Sequence, residues 1–130
     1  MKTYNCVHCG TESIFKYSKT NKYCSVQCQQ DYQHATYIAE WKQGLQDGRK
    51  GKLQTSGHIH RYILEKQQYK CAVCAIIEYN NKPITLELDH INGNAEDNTE
   101  DNLQCLCPNC HSQTPTYRSK NKGNGRKARR

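Results

Sequence analysis

Nine cysteines in 130 residues constrain this chain more than any other feature. Eight of them sort into two sets of four. The first is Cys6-x2-Cys9, then fourteen residues, then Cys24-x3-Cys28. The second is Cys71-x2-Cys74, then thirty-two residues, then Cys107-x2-Cys110. A C-x2-C pair lets two thiolates wrap one side of a Zn²⁺, and a second pair closes the tetrahedron of a structural site. Cys105 is left over and reads as a packed strand residue, because a closed site has four ligands. The odd count, and a start at Met1 with no apolar signal-peptide core, argue against disulfides. A C-x2-C redox pair would need a βαβ context that neither pair has.

Composition explains why metal staples are needed. Only 35% of the residues are hydrophobic, with one Phe and one Trp beside nine Tyr. A large apolar core is excluded, and so is a membrane partner, since no apolar run approaches the ~18–20 residues that span a bilayer. The length suits one domain or two very small ones. The expected compartment is a reducing cytoplasm, where disulfides are rare.

The net charge of +7 is unevenly placed. Arg118 to Arg130 holds seven basic residues and no acid, so Met1 to Tyr117 is formally neutral. From Lys42 to Lys70 the chain carries a local +5. Between Glu78 and Asp101 it carries seven acids and one base. Each filled four-cysteine site adds a formal charge of about −2, which lowers the body and leaves the tail as the attraction for a polyanion. An acidic segment inside a polyanion binder is costly unless a cation sits there.

Along the chain, residues 1–24 read as a short β-hairpin with Tyr4, Val7, Ile14, Phe15 and Tyr17 as its apolar material. Ser25 can cap a helix that holds Cys28 in its first turn. Val26, Tyr32, Ala35, Ile38 and Ala39 form that helix's apolar face. A knuckle, a hairpin and a ligand-bearing helix resemble a treble-clef finger. Residues 44–57, with four Gly among Arg49, Lys50 and Lys52, read as a flexible basic linker. A second helix follows Ser56, with Ile59, Tyr62, Ile63 and Lys66 at helical spacing, and with His58, His60 and Arg61 facing solvent or phosphate. Ile84 to Leu88 alternates like a half-buried strand, and Leu103 to Leu106 reads as another. Pro108 suits the first turn of a helix that ends near Thr114, before Pro115.

The chemistry-bearing residues lie on these last elements. Asp89-His90 closes the first strand, Asn102 precedes the second, and His111 follows Cys110 directly. Phosphodiester cleavage needs a base for water, and an imidazole with pKa near ~6.5 suits that task. It also needs charge stabilisation at the phosphate and the departing 3′-oxygen, which a divalent ion with open positions supplies. Asp89 and His111 leave such positions, unlike the closed four-cysteine cages.

Leu88-Asp89-His90-Ile91-Asn92-Gly93-Asn94, then Asn98, Asn102-Leu103, and Leu106-Cys107-Pro108-Asn109-Cys110-His111-Ser112-Gln113-Thr114, resembles the HNH endonuclease family, in particular its small phage-type and homing-type members. The resemblance covers residues 58–117. It implies a small α+β zinc-stabilised protein, with a ββα-metal (His-Me finger) nuclease domain after a treble-clef-like finger. It implies His90 as general base, and Asp89 and His111 as ligands of Mg²⁺, with Mn²⁺ or Ni²⁺ as substitutes. Asn102 would orient the loop carrying His90, and the products would carry 5′-phosphate and 3′-hydroxyl ends. Asn98 reads as a turn residue in preference to a brace. The organisation is then a four-cysteine zinc finger over 1–43, a linker over 44–57, a nuclease domain over 58–117 and a disordered basic tail over 118–130. The expected partner is double-stranded DNA, held through Arg49, Lys50, Lys52, Arg61, Arg118, Lys120, Lys122, Arg126 and Lys127. The location would be host cytoplasm for a phage-encoded protein. A non-catalytic double-zinc nucleic-acid-binding protein is the rival reading, and the oligomeric state stays open.

Overall fold

The computed structural model describes residues 2–14, 22–51 and 54–121. Phe15, Lys16, Tyr17 and Lys19 of the expected finger lie outside them, as do Lys52, Lys122, Arg126 and Lys127 of the expected DNA contacts. Among the described residues, short antiparallel hairpins alternate with helices in a small α+β arrangement.

Strand β1 (Thr3–Asn5) pairs antiparallel with β2 (Glu12–Ile14). The turn between them is the first knuckle. The Cys6 amide donates to the Thr11 carbonyl at 2.9 Å, and the Gly10 amide returns to the Cys6 carbonyl at 2.9 Å. The second knuckle repeats this closure. The Cys71 amide donates to the Ile76 carbonyl at 3.1 Å, and the Ala75 amide to the Cys71 carbonyl at 3.0 Å. Both turns need a left-handed residue, supplied by Gly10 at φ 77° and Ala75 at φ 61°.

Helix α1 (Val26–Lys42) starts as expected: Ser25 Oγ accepts from the Cys28 amide at 3.1 Å. Its buried stripe differs from the expected one. His34, Ile38 and Trp41 are buried, whereas Val26 is 69% exposed and Ala35 and Ala39 face outward. An apolar periodicity cannot see a buried histidine, and here the His34 ring packs on that of His58.

The stretch expected to be a flexible linker carries a hairpin, β3 (Arg49–Lys50) with β4 (Gln54–Thr55). The Asp47 carboxylate caps the Arg49 amide, and the Ser56 amide closes onto the Gly48 carbonyl at 2.7 Å. Helix α2 (Gly57–Lys66) follows with Ser56 Oγ capping the His58 amide. Its Ile59 and Ile63 are fully buried, as their spacing predicts.

Strands β5 (Glu78–Tyr79) and β6 (Lys82–Pro83) turn through Asn80 and Asn81, both at positive φ, the geometry of a tight two-residue hairpin. The next strand, β7 (Glu87–His90), therefore begins later than Ile84. Leu86 is held instead by α2, where His60 Nε2 donates to its carbonyl at 3.1 Å. β7 pairs with β8 (Leu103–Leu106), with Leu88 opposite Cys105 and Asp89 opposite Gln104. The Gln67 side chain pairs with both backbone groups of Cys105, which closes the far edge of β8.

Helix α3 (Pro108–Ser112) has Pro108 in its first turn and ends before Pro115, as expected. Arg118–Asn121, assigned from sequence to the disordered tail, forms a 3-10 turn. Asn121 Nδ2 donates to the Gly93 carbonyl at 2.6 Å and ties that turn to the loop after β7. Gly93 is required there: at φ 77°, a Cβ would strike Asn121 Oδ1 and Thr116 Cγ2.

The core joins Ile38 and Trp41 of α1, Ile59 and Ile63 of α2, Leu86, and Leu103, Cys105 and Leu106 of β8. Cys71 and Cys107 border it, so the second cysteine cluster is continuous with the apolar core. Cys105 is fully buried, and burial pushes its thiol up to about 12, as suits a neutral packing residue. No helix among the described residues is long and apolar enough to cross a membrane.

Candidate active site

Both cysteine sets converge. The sulfurs of Cys6, Cys9, Cys24 and Cys28 lie within 4.8 Å of one another, and so do those of Cys71, Cys74, Cys107 and Cys110. Measured pairs are 3.6 Å for Cys9 and Cys24, 3.5 Å for Cys24 and Cys28, and 3.7 Å for Cys74 and Cys107. A disulfide needs about 2.05 Å. The edge of a tetrahedron of sulfurs about 2.3 Å from zinc is about 3.8 Å, so the donor sets fit zinc.

The thiols also divide within each cluster. The Cys9 amide, with those of Cys24 and His8, holds the Cys6 thiol down at about 6 against burial. Burial opposes the Cys71 thiolate, but the amides of Cys74, Cys107 and Val73 outweigh it and hold that thiol at about 6. Their neighbours move the other way. Cys24 is pushed up to about 12 by Cys28 and Cys9, and Cys110 to about 12 by burial and then Cys107. Four thiolates so close cannot all ionise without a cation among them.

The second cluster positions His111, which follows Cys110 on α3. Its Nε2 faces Asp89 Oδ1 at 3.6 Å, and its Nδ1 lies 3.0 Å from Glu87 Oε1. Asp89 is 6% exposed, and its other oxygen accepts from Gln104 Nε2 at 3.0 Å. Sequence reasoning paired Asp89 with His111 but missed Glu87 and Gln104. The signal was available: side chains two apart on a strand share a face, and Gln104 is the cross-strand neighbour of Asp89.

His90 lies next along β7. Its Nε2 is 2.7 Å from Asn98 Oδ1. Asn98 Nδ2 donates to the Asp47 carbonyl at 3.2 Å, which fixes which end of the amide is oxygen. Oδ1 only accepts, so His90 Nε2 carries the proton and the free lone pair is on Nδ1. Asn98 is 5% exposed, which corrects its reading as a simple turn residue. Asn102 spans the same loop. Its Oδ1 accepts from the Asn92 amide at 2.9 Å and its Nδ2 donates to the Asp97 carbonyl at 2.8 Å.

Over 55 residues the chain is 51% identical to the H-N-H endonuclease F-TflIV of Escherichia phage T5. Over that stretch the chain is similar to an HNH endonuclease. That stretch is 42% of this chain and 24% of the relative, so the chain spans about a quarter of the protein it matches. No family model and no solved structure matches it.

Around Asp89, His90 and His111, the basic candidates differ in how free they are. Arg49 pairs with Asp47 at 2.9 Å, and both are well exposed. Lys50 is exposed. Arg61 is engaged by Glu65 at 2.8 Å and Asp31 at 3.3 Å. Arg118 lies over the Tyr117 ring, which itself meets His111 edge-on. Lys120 Nζ reaches the Ser112 carbonyl at 3.4 Å. His58 and His60, expected to face solvent or phosphate, instead meet His34 and the Leu86 carbonyl.

Proposed function

We propose that this chain is a metal-dependent DNA endonuclease of the HNH type, with β7, β8 and α3 as a ββα-metal arrangement. The observation that carries the reading is the convergence of Asp89, His90 and His111 on a hairpin and helix stapled by four cysteines. At 3.6 Å, Asp89 Oδ1 and His111 Nε2 are too far apart for a good hydrogen bond. A carboxylate oxygen and an imidazole nitrogen facing each other across that gap fit a divalent cation. Asp89 and His111 would hold Mg²⁺, with Mn²⁺ or Ni²⁺ as substitutes. That ion, when bound, supplies positive charge beside the scissile phosphate and the leaving 3′-oxygen.

The residues of the chain divide the remaining work. His90 accepts a proton from water at Nδ1, and the water oxygen attacks phosphorus as the bond to the 3′-oxygen breaks. Asn102 holds the loop that carries His90, and Glu87 orients His111 through its Nδ1. The eight clustered cysteines hold two Zn²⁺ as structural sites. Arg49, Lys50, Arg118 and Lys120, with Lys52, Lys122, Arg126 and Lys127, bind backbone phosphates of double-stranded DNA without reading sequence. Arg61 contributes only if DNA displaces its carboxylates. In this organisation 1–43 is the finger, 44–57 the connection and 58–117 the nuclease, acting in the cytoplasm, that of the host if phage-encoded.

Plasmid incubation with Mg²⁺ tests the reading. The wild type should cleave, and His90→Ala should lose about 10²–10⁴-fold while keeping zinc and DNA binding. Full activity in that variant removes the general-base assignment. DNA binding without cleavage under any divalent ion would favour the non-catalytic double-zinc protein.

A further inference from the structure

We propose that Asn98 is a positioning residue for His90, and that α1 and the β3–β4 hairpin hold it in place. The role in cleavage rests on His90 being the general base. It makes the N-terminal elements part of the catalytic centre rather than only a DNA-binding appendage.

Asn98 is clamped from several directions. Its Oδ1 faces His90 Nε2 at 2.7 Å. Its Nδ2 donates to the Asp47 carbonyl at 3.2 Å, just before β3. Its own carbonyl accepts from Trp41 Nε1 at 2.8 Å, from the last turn of α1. Thr55 Oγ1 on β4 adds a longer bond to Oδ1 at 3.4 Å. Gly48 completes the enclosure. It sits at φ 80°, and a Cβ there would lie 2.7 Å from Asn98 Cβ and 3.3 Å from its Cγ. Only glycine accepts both that backbone conformation and that approach.

The consequence for His90 is geometric. A terminal imidazole torsion is broad and roughly two-fold, and a flip exchanges the places of its nitrogen and carbon atoms. A bond from Nε2 to a fixed acceptor selects one of those orientations and one tautomer. It leaves Nδ1 aimed in a constant direction, as a base that must meet water in line with phosphorus requires. Asn98 is fixed because Trp41, Asp47 and Thr55 hold both its backbone and its amide.

The test uses the full chain loaded with zinc. Two readouts are taken: kcat and KM for plasmid cleavage, and the nitrogen-bound imidazole proton of His90 by ¹⁵N NMR at one fixed pH. In the wild type the proton should reside on Nε2 and exchange slowly with water. Asn98→Ala should lose that slow exchange and lower kcat by about 10–100-fold with little change in KM. Asn98→Asp keeps an acceptor oxygen but turns its second oxygen toward the Asp47 carbonyl, so it loses the clamp and should fall close to Asn98→Ala. Trp41→Phe and Gly48→Ala, neither in contact with His90, should shift the same resonance and lower kcat with zinc content unchanged. A proton on Nδ1 in the wild type would overturn the proposal. So would full kcat in Asn98→Asp, or unchanged kcat in Asn98→Ala. Absence of wild-type cleavage, with the slow Nε2 proton present and lost in Asn98→Ala, would overturn the nuclease reading alone.

Discussion

Replacing Asn102 by Ala removes both side-chain bonds that cross the loop between β7 and β8. Asn102 is 9% exposed, and it satisfies the Asn92 amide at 2.9 Å and the Asp97 carbonyl at 2.8 Å. A hydrogen bond contributes about 1 kcal/mol net, and a buried group left without a partner costs about 1–3 kcal/mol. Asn92 is exposed and Asp97 half-buried, so water can reach the orphaned groups. The loss should therefore sit near the low end, about 2 kcal/mol for the pair. The backbone path should persist, because the Ile91 amide still donates to the Asn102 carbonyl at 2.8 Å.

The single Trp of the chain, Trp41, is buried and reports unfolding by fluorescence. Urea denaturation at fixed excess zinc should show the destabilisation as a lower midpoint with an unchanged slope. A domain of ordinary stability, about 5 kcal/mol or more, would remain over ~99% folded after losing about 2 kcal/mol. Any fall in kcat beyond a few per cent then reports the loop and not unfolding. We expect about 10²-fold. Asn102→Asp should not rescue, because it turns a carboxylate oxygen toward the Asp97 carbonyl. A destabilisation under about 0.5 kcal/mol with normal cleavage would refute the brace.

Ala75 occupies a left-handed position that costs a non-glycine residue about 1 kcal/mol, so Ala75→Gly should raise the urea midpoint. The reciprocal Gly10→Ala should lower it by a similar amount, since a Cβ at Gly10 meets nothing within 4 Å and only the backbone is strained. His34 is held below the ordinary histidine range first by burial, then by Arg61 and His58, with Glu65 and Asp31 opposing. The unfolded chain therefore binds the proton more readily. Stability should be full above pH ~6.5 and fall as pH drops toward the lower folded value, and His34→Gln should flatten that slope in denaturation at several pH values. A strong chelator should abolish circular dichroism structure, and elemental analysis should find zinc in both clusters; intact spectra without zinc would exclude the structural sites. Cutting the chain after Asn121 should weaken DNA binding and flatten its salt dependence, whereas an unchanged slope would make the tail a bystander.

What the sequence made legible follows physical type. Metal ligands repeat at short spacings that one side of an ion dictates, so both cysteine clusters were readable in full. Helix starts were readable because Ser25, Ser56 and Pro108 act locally. The face of α1 was not, because its buried stripe contains His34, whose partner His58 lies 24 positions away. The pairing of Arg49–Lys50 with Gln54–Thr55 was hidden for a similar reason. The glycines around it signal freedom in the sequence, yet Gly48 serves close packing against Asn98, fifty positions later. Asn98 itself looked like loop chemistry because Asn is a common turn former. Its partners at Trp41, Asp47 and His90 exist only once the chain has folded.

The acidic segment shows where charge counting stops and geometry takes over. Between Glu78 and Asp101 an excess of carboxylates argues from sequence for a cation. Folding partners several of them within the protein. Glu100 is held below the usual carboxylate range by Lys66, with Tyr62 assisting against burial. Asp97 is lowered by the Thr99 hydroxyl and amide and accepts from Asn92. These acids need no metal. Asp89 differs, being buried on the same strand face as Glu87, with one oxygen held by Gln104 and the other turned to His111. The case for a cation thus narrows from a segment to one carboxylate and one imidazole, with Glu87 behind the imidazole. That narrowing makes the case separable by experiment. Asp89→Asn should abolish divalent-ion binding measured by calorimetry, whereas Asp97→Asn should cost stability and leave the ion in place. The reverse pattern would return the cation to the segment as a whole and remove Asp89 from the centre of the site.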